Sequence, residues 1–344
     1  MKKIRILSGL MAVVMLLSLM AVNVFAADSG KVVLSDVPYD YGVVRLSDDW
    51  DELTTSERKT VFNIPQNVTE KLTTQALLKT ILNNPYITEI FLYDTLEKGI
   101  EVKDFRFHFT ELFSRSDVRQ VLRNYINELS VRLDLDSRIN LDTTLEDFRE
   151  SEYSLISDYI VCVHLYEYLN NIVTPSNNLR YGIVQIQTLG GAWLEGKTNR
   201  AWSNVLGGEL ATSIAEMNYE LNYPNSVKLE EKSPLYNCHC YAWHTEYFSY
   251  DKYIWIESED AQTYLNDSCC SLIPRVTSGC KVVYFDPDGE EMLHSGSVVS
   301  VSGNNIYVIS KMGNCGVYRH LLRDCSYYED SEGYINYYWY EEEE

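Results

Sequence analysis

A cysteine opening a helix and a histidine on a later strand are the residues of this chain whose types and placement suit nucleophilic chemistry. In Tyr236-Asn237-Cys238-His239-Cys240-Tyr241-Ala242-Trp243, Asn237 is a good N-cap: its side-chain oxygen can accept a helix N–H, which leaves Cys238 in the first turn. Unpaired amides and the helix dipole favour a thiolate there and pull the cysteine pKa toward neutral. Cys238, Tyr241, Ala242 and Thr245 recur at helical spacing and form one face able to pack on a sheet.

The base is expected downstream. Lys281 to Phe285 reads as a strand, Asp286-Pro287-Asp288-Gly289 as a turn, Leu293 to Val301 as a second strand headed by His294, and Ile306 to Ser310 as a third. A thiol hydrolase needs an imidazole that reaches the sulfur and a further polar group that steers the ring. His294 is preferred to His320 because Gly296 leaves space beside its ring. His239 follows the cysteine on the same helix and cannot easily turn back onto its sulfur, but it can line the substrate groove. The backbone N–H of Cys238 and a nearby donor would meet the oxyanion.

These pieces resemble the papain-like superfamily of bacterial wall amidases and peptidases, the CHAP and NlpC-type domains. The resemblance is carried by Cys238-His239-Cys240-Tyr241-Ala242, by Gly279 with the apolar strand after it, and by His294 heading a strand of small and β-branched residues. It is closer to secreted proteins of Gram-positive bacteria that carry Asn-Cys-His-Ser-Tyr-Ala-Trp, a later His-Ser, and Ile-Ser-Lys-Trp-Gly, and it covers roughly Arg180 to Tyr340. Cys240 stands where that group has serine, Cys280 where aspartate is usual, and Met312 where it has tryptophan. The resemblance implies a third catalytic group on the strand after the histidine, which here means Ser310 or Lys311, with Asn314 just beyond. Ser310 is preferred, since a lysine would oppose imidazolium formation.

Residues 1–26 read as a secretory leader, with Lys2, Lys3 and Arg5 before an apolar run and Val24-Phe25-Ala26 at its exit. No anchor is expected after its removal. The net charge of −21 becomes about −24 without those three basic residues, which argues against nucleic acid and against tight adhesion to anionic polymers. The Glu341–Glu344 end reads as an acidic tail. About 318 residues then remain, and single cores rarely grow past ~250 to 300, so two domains are expected.

The first, residues 27–175, reads as all-helical. Its helices are expected from Thr55, over Ala76 to Leu82, along the period of Ile87, Ile90, Phe91 and Asp94, and near 109–113, 117–133, 144–148 and 153–169. No cluster in it looks chemical. Glu111, Arg115, Asp117 and Arg119 read as a charged helix surface, and Cys162 as a small buried hydrophobe. A hinge near Thr174-Pro175-Ser176 leads into the second domain, residues 180–340, through a strand at 181–188 and a helix at 211–221.

The fold class expected is therefore α+β, an N-terminal helical domain followed by a papain-like domain with the cysteine helix on an antiparallel sheet. Of the eight cysteines, Cys315 with Cys325, or Cys269 or Cys270 with Cys280, are candidate bridges. Cys240 and His244, with Cys238 and His239 adjoining, make an imaginable zinc set, but they occupy different helix faces and no CxxC pair occurs. No metal or cofactor is expected. The function expected is a secreted cysteine amidase or peptidase acting on peptidoglycan peptides or related peptides. Cys238 attacks, His294 carries the proton and Ser310 steadies the ring, so that Cys238→Ala and His294→Ala each abolish turnover. The alternative is an inactive secreted binding or structural module on the same scaffold.

Overall fold

Caps and apolar periods decide where the helices of this chain begin and what they bury. A computed structural model describes residues 34–135, 152–170, 182–198, 200, 208–244, 254–331 and 334–341. The leader, the expected helix at 144–148, the hinge at 174–176 and Thr245 lie outside the described residues.

Eleven helices are described, α1 (Asp48–Glu52), α2 (Thr55–Val61), α3 (Gln66–Thr69), α4 (Thr74–Leu82), α5 (Leu96–Phe107), α6 (Phe109–Ser114), α7 (Val118–Leu133), α8 (Tyr153–Leu169), α9 (Gly208–Asn222), α10 (Ser258–Leu265) and α11 (Tyr327–Asp330). Thr54 and Glu57 form a reciprocal capping box on α2, which satisfies donors that the first turn would otherwise leave open. The stretch Ile87–Leu92 is a 3-10 helix and is buried throughout. The expected helices at 109–113, 117–133 and 153–169 are present as α6, α7 and α8, whereas α5 was not anticipated.

The strands are β1 (Gly182–Gln187), β2 (Trp193–Thr198), β3 (Val227–Glu230), β4 (Ile254–Trp255), β5 (Cys270–Ile273), β6 (Lys281–Phe285), β7 (Met292–Ser302), β8 (Asn305–Lys311), β9 (Val317–Leu321) and β10 (Ile335–Tyr340). They form two antiparallel sheets, ordered β1-β2-β4 and β3-β9-β8-β7-β6-β10-β5. The described chain is thus a mixed helix and antiparallel-sheet fold, α+β in class.

Successive side chains of a strand point to opposite faces, and the seven-stranded sheet is apolar on both. Cys280, Val282, Tyr284, Val298, Val308, Met312 and Tyr318 belong to one core with the helices between Trp50 and Leu165 and with α9. Val283, Phe285, Val317, Tyr338 and Tyr340 belong to a second core with the segment after Tyr236, α10 and the small sheet. The large sheet is therefore a middle layer, and the helical half shares a continuous core with it. Lys103 fastens this contact: its ammonium, 1% exposed, lies 2.7 Å from Glu89 and 2.8 Å from Asp330. The aromatic C-terminal strand β10 fills a place between β5 and β6, so most of its rings serve packing.

Candidate thiol site around Cys238

Asn237 caps the cysteine segment as its type dictates. Its Oδ1 accepts from the N–H of Cys240 at 3.2 Å and of Ile256 at 3.3 Å, and its Nδ2 donates to the Ile256 carbonyl at 2.6 Å. Cys238 is the first helical residue, as expected. The turn then widens into a π-helix over Cys240–His244, so that Cys240 and Trp243 join the expected Ala242 in the core, with Tyr241 packed against it, while Cys238 is not part of that cluster.

The thiol is not pulled toward neutral. Burial pushes it up to about 12, and the Asp94 carboxyl beside it adds to the effect. The backbone of Ser295 and His239 and the Lys311 ammonium offset only part of this. The expected lowering fails because Cys238 is 5% exposed, and desolvation outweighs one helix end.

The His294 ring is taken up by packing among aromatic side chains. It stacks on Tyr327 with ring centroids 4.2 Å apart and planes 5° from parallel, and it lies 5.5 Å from Tyr284. Neither ring nitrogen has a hydrogen-bond partner. Burial, with His320 and His239 nearby, holds its pKa well below the ordinary histidine value, so the ring is neutral. The expected bond between imidazole and sulfur is therefore absent. Strand alternation sends Ser295 toward His239 and His294 toward Tyr284 and Tyr327. Ser295 Oγ is 3.0 Å from His239 Nδ1.

Ser310 does not steady His294 either. Its hydroxyl lies 2.8 Å from His320 Nε2, while His320 Nδ1 lies 2.9 Å from the Leu321 carbonyl. The carbonyl requires a proton on Nδ1, so Ser310 donates to Nε2. Both residues are buried. Ser310→Ala strands that nitrogen and should cost about 1 to 3 kcal/mol in chemical denaturation. Lys311, an alternative third member, donates to the carbonyls of Ser233 at 3.1 Å, Gly313 at 2.9 Å, and Cys315. Burial lowers it to about 7. Asn314 is buried nearby in the turn that follows, its carbonyl accepting from the Ser233 N–H at 2.9 Å.

Asp94, supplied by the helical half, is the residue the sequence did not single out. Burial raises its carboxyl to about 7, reinforced by Glu257 and opposed by Arg200, Lys197 and the Asn237 amide. Its signal was an acidic residue at the next position of the apolar period Ile87, Ile90, Phe91. Around it, Lys197 pairs with Glu257, and the Arg200 guanidinium lies 3.6 Å over the Trp255 ring.

Cys315 and Cys325 are free thiols, as are Cys269, Cys270 and Cys280, so neither expected bridge is present. Among the described residues no group of three or more His, Cys, Asp or Glu is arranged to hold a metal ion, and no helix is long and apolar enough to cross a membrane. A cavity of about 600 Å³ opens in the helical half beside Tyr39, Arg45, Asn84 and Asp158, and none of its lining residues belongs to the Cys238 group. Comparison with protein families, curated proteins and solved structures returns no match.

Proposed function

We propose that this chain is a secreted cysteine hydrolase that cleaves amide bonds in peptidoglycan peptides or related peptides. The observation that carries the reading is the placement of Cys238: it is the first helical residue of a turn capped by Asn237, whose Oδ1 accepts from the Cys240 N–H at 3.2 Å. The opening turn of a helix stabilises a sulfur there as it gains negative charge. The likeness to CHAP and NlpC-type domains supports the bond type, and the leader-like residues 1–26 support export.

Cys238 attacks the amide carbonyl, and its proton passes to a group at the sulfur. The base expected from the sequence, His294, would have to leave its stack on Tyr327 to receive it. One observation favours the second reading, an inactive binding module: the thiol is 5% exposed and carries no bond to imidazole. Incubating the purified chain with peptidoglycan and with soluble cell-wall peptides, and counting new primary amines, separates the two. Release of amines is expected, and its absence across both substrates would favour the module.

A further inference from the structure

Three charges enclosed by the fold come from three separate segments: Lys103 from α5, Glu89 from the 3-10 helix and Asp330 from the end of α11. They are 1%, 3% and 2% exposed. A single ammonium lies between two carboxylates, with Lys103 Nζ 2.7 Å from Glu89 Oε2, 2.8 Å from Asp330 Oδ2 and 3.0 Å from Asp330 Oδ1. One carboxylate would neutralise it.

We propose that this cluster is the site of an internal covalent modification, in which the Lys103 amine condenses with the Asp330 carboxyl to an amide while Glu89 carries the protons and one water is lost. The proposal stands apart from the reading of Cys238. Its product would join α5 to α11, residues 227 positions apart, and so bond the helical half to the segment that follows the large sheet's strand β9.

A nitrogen at nearly equal distance from both oxygens of one carboxylate faces its carbon, and the dimensions of the group then put Nζ about 3 Å from Cγ, the separation at which reacting atoms are poised. The Tyr93 hydroxyl donates to Asp330 Oδ2 at 2.5 Å, so an oxygen that gains charge as nitrogen adds already holds a donor. The Tyr223 hydroxyl donates to Glu89 Oε1 at 2.6 Å, which leaves Oε2 turned to the ammonium. Each partner is held in place.

Burial also favours the product. Ions taken out of water carry a desolvation penalty that their attraction repays only in part, and condensation replaces two of them with a neutral amide. Glu89 keeps Lys59 and Arg106 nearby when the ammonium is consumed. The two carboxylates hold the ammonium's proton more firmly than water holds that of an ordinary lysine. Free amine therefore forms only as a proton crosses to Glu89, and the reaction is a slow maturation of the folded chain.

In the first step an ammonium proton moves to Glu89, the nitrogen pair forms the N–Cγ bond, and the carbonyl π pair moves to oxygen. Glu89 then gives that proton to one Asp330 oxygen, accepts a second from nitrogen and passes it to the same oxygen. The C–O bond breaks, water leaves, and the remaining oxygen pair restores the carbonyl. An ammonium and a carboxylate have become an amide and one water, with Glu89 again a carboxylate.

The test is the intact mass of the purified full chain, denatured after prolonged incubation in the folded state, beside those of Glu89→Gln and Lys103→Arg, with folding checked by circular dichroism and each digest mapped. We expect the parent to be lighter by one water, about 18 Da, than its sequence requires from the observed N-terminus, and to yield a branched peptide linking Lys103 to Asp330. Glu89→Gln should form it at least about tenfold more slowly, and Lys103→Arg, which keeps a cation but offers no amine, should retain the full mass. A parent of full mass with no branched peptide would overturn the proposal. So would a loss of water mapped to Asp288-Gly289, where an aspartate before glycine can close a ring on its own backbone. Parental water loss in Glu89→Gln would overturn the part given to Glu89.

Discussion

Cys238→Ala should abolish amine release from peptidoglycan peptides, a loss of at least about a thousandfold, while the melting curve stays close to that of the parent. The side chain is small, and its replacement removes one sulfur from a site where Asn237 still caps the turn through Cys240 and Ile256. Cys238→Ser should fare little better, because an alcohol in the same desolvated position is a poorer nucleophile than a thiol. Residual turnover in either variant within tenfold of the parent would assign the chemistry to another residue.

Lys103→Met should be strongly destabilising, by about 3 to 5 kcal/mol in urea denaturation. The ammonium is 1% exposed and bonds Glu89 at 2.7 Å, Asp330 at 2.8 Å and the Ser326 carbonyl at 3.3 Å. Removing it leaves two buried carboxylates without their cation. Burial alone would raise Glu89, but Lys103, Lys59 and Arg106 more than offset this and hold it below the usual carboxylate range. Its contribution is therefore present above the unfolded value of about 4.5 and is lost as pH falls through the lower folded value. Lys103 is raised from 10.5 against the opposing effect of burial, so its share is intact below that value and is lost as pH climbs through the higher folded one. Stability should accordingly form a plateau across the neutral range, with its acid limb shifted in Glu89→Gln. An unchanged midpoint in Lys103→Met would mean that this ion cluster does not hold the helical half to the sheet.

Local signals gave much of the fold. Apolar spacing placed Tyr153–Leu169 and Val118–Leu133, side-chain chemistry placed the Asn237 cap, and turn residues delimited Lys281–Phe285 and the strand at 306–310. What they could not supply was long-range pairing. Nothing near Ile335–Tyr340 says that this strand slots between β5 and β6, and nothing near α5 says that Lys103 will meet Asp330.

The site was legible to the same depth. Cys238 follows from its own neighbours. Alternation along β7 puts His294 and Ser295 on opposite faces, but what each would meet, Tyr284 and Tyr327 or His239, depends on the sheet's layer order, which local pattern does not encode. Asp94 was visible only as an acidic residue at the next position of an apolar period. Ser310 was placed on the correct strand and given the wrong partner, because His320 lies beside it across the β8–β9 register.

The most direct measurement is timed iodoacetamide labelling of the folded chain near pH 8, with each cysteine peptide quantified by mass. Exposure alone would favour Cys269 and Cys270, which are only partly buried, over Cys238. A hydrolase built on Cys238 predicts the reverse, with Cys238 modified first and protected by prior incubation with a cleaved peptide. Labelling confined to Cys269 and Cys270, with Cys238 intact until the protein unfolds, would contradict it.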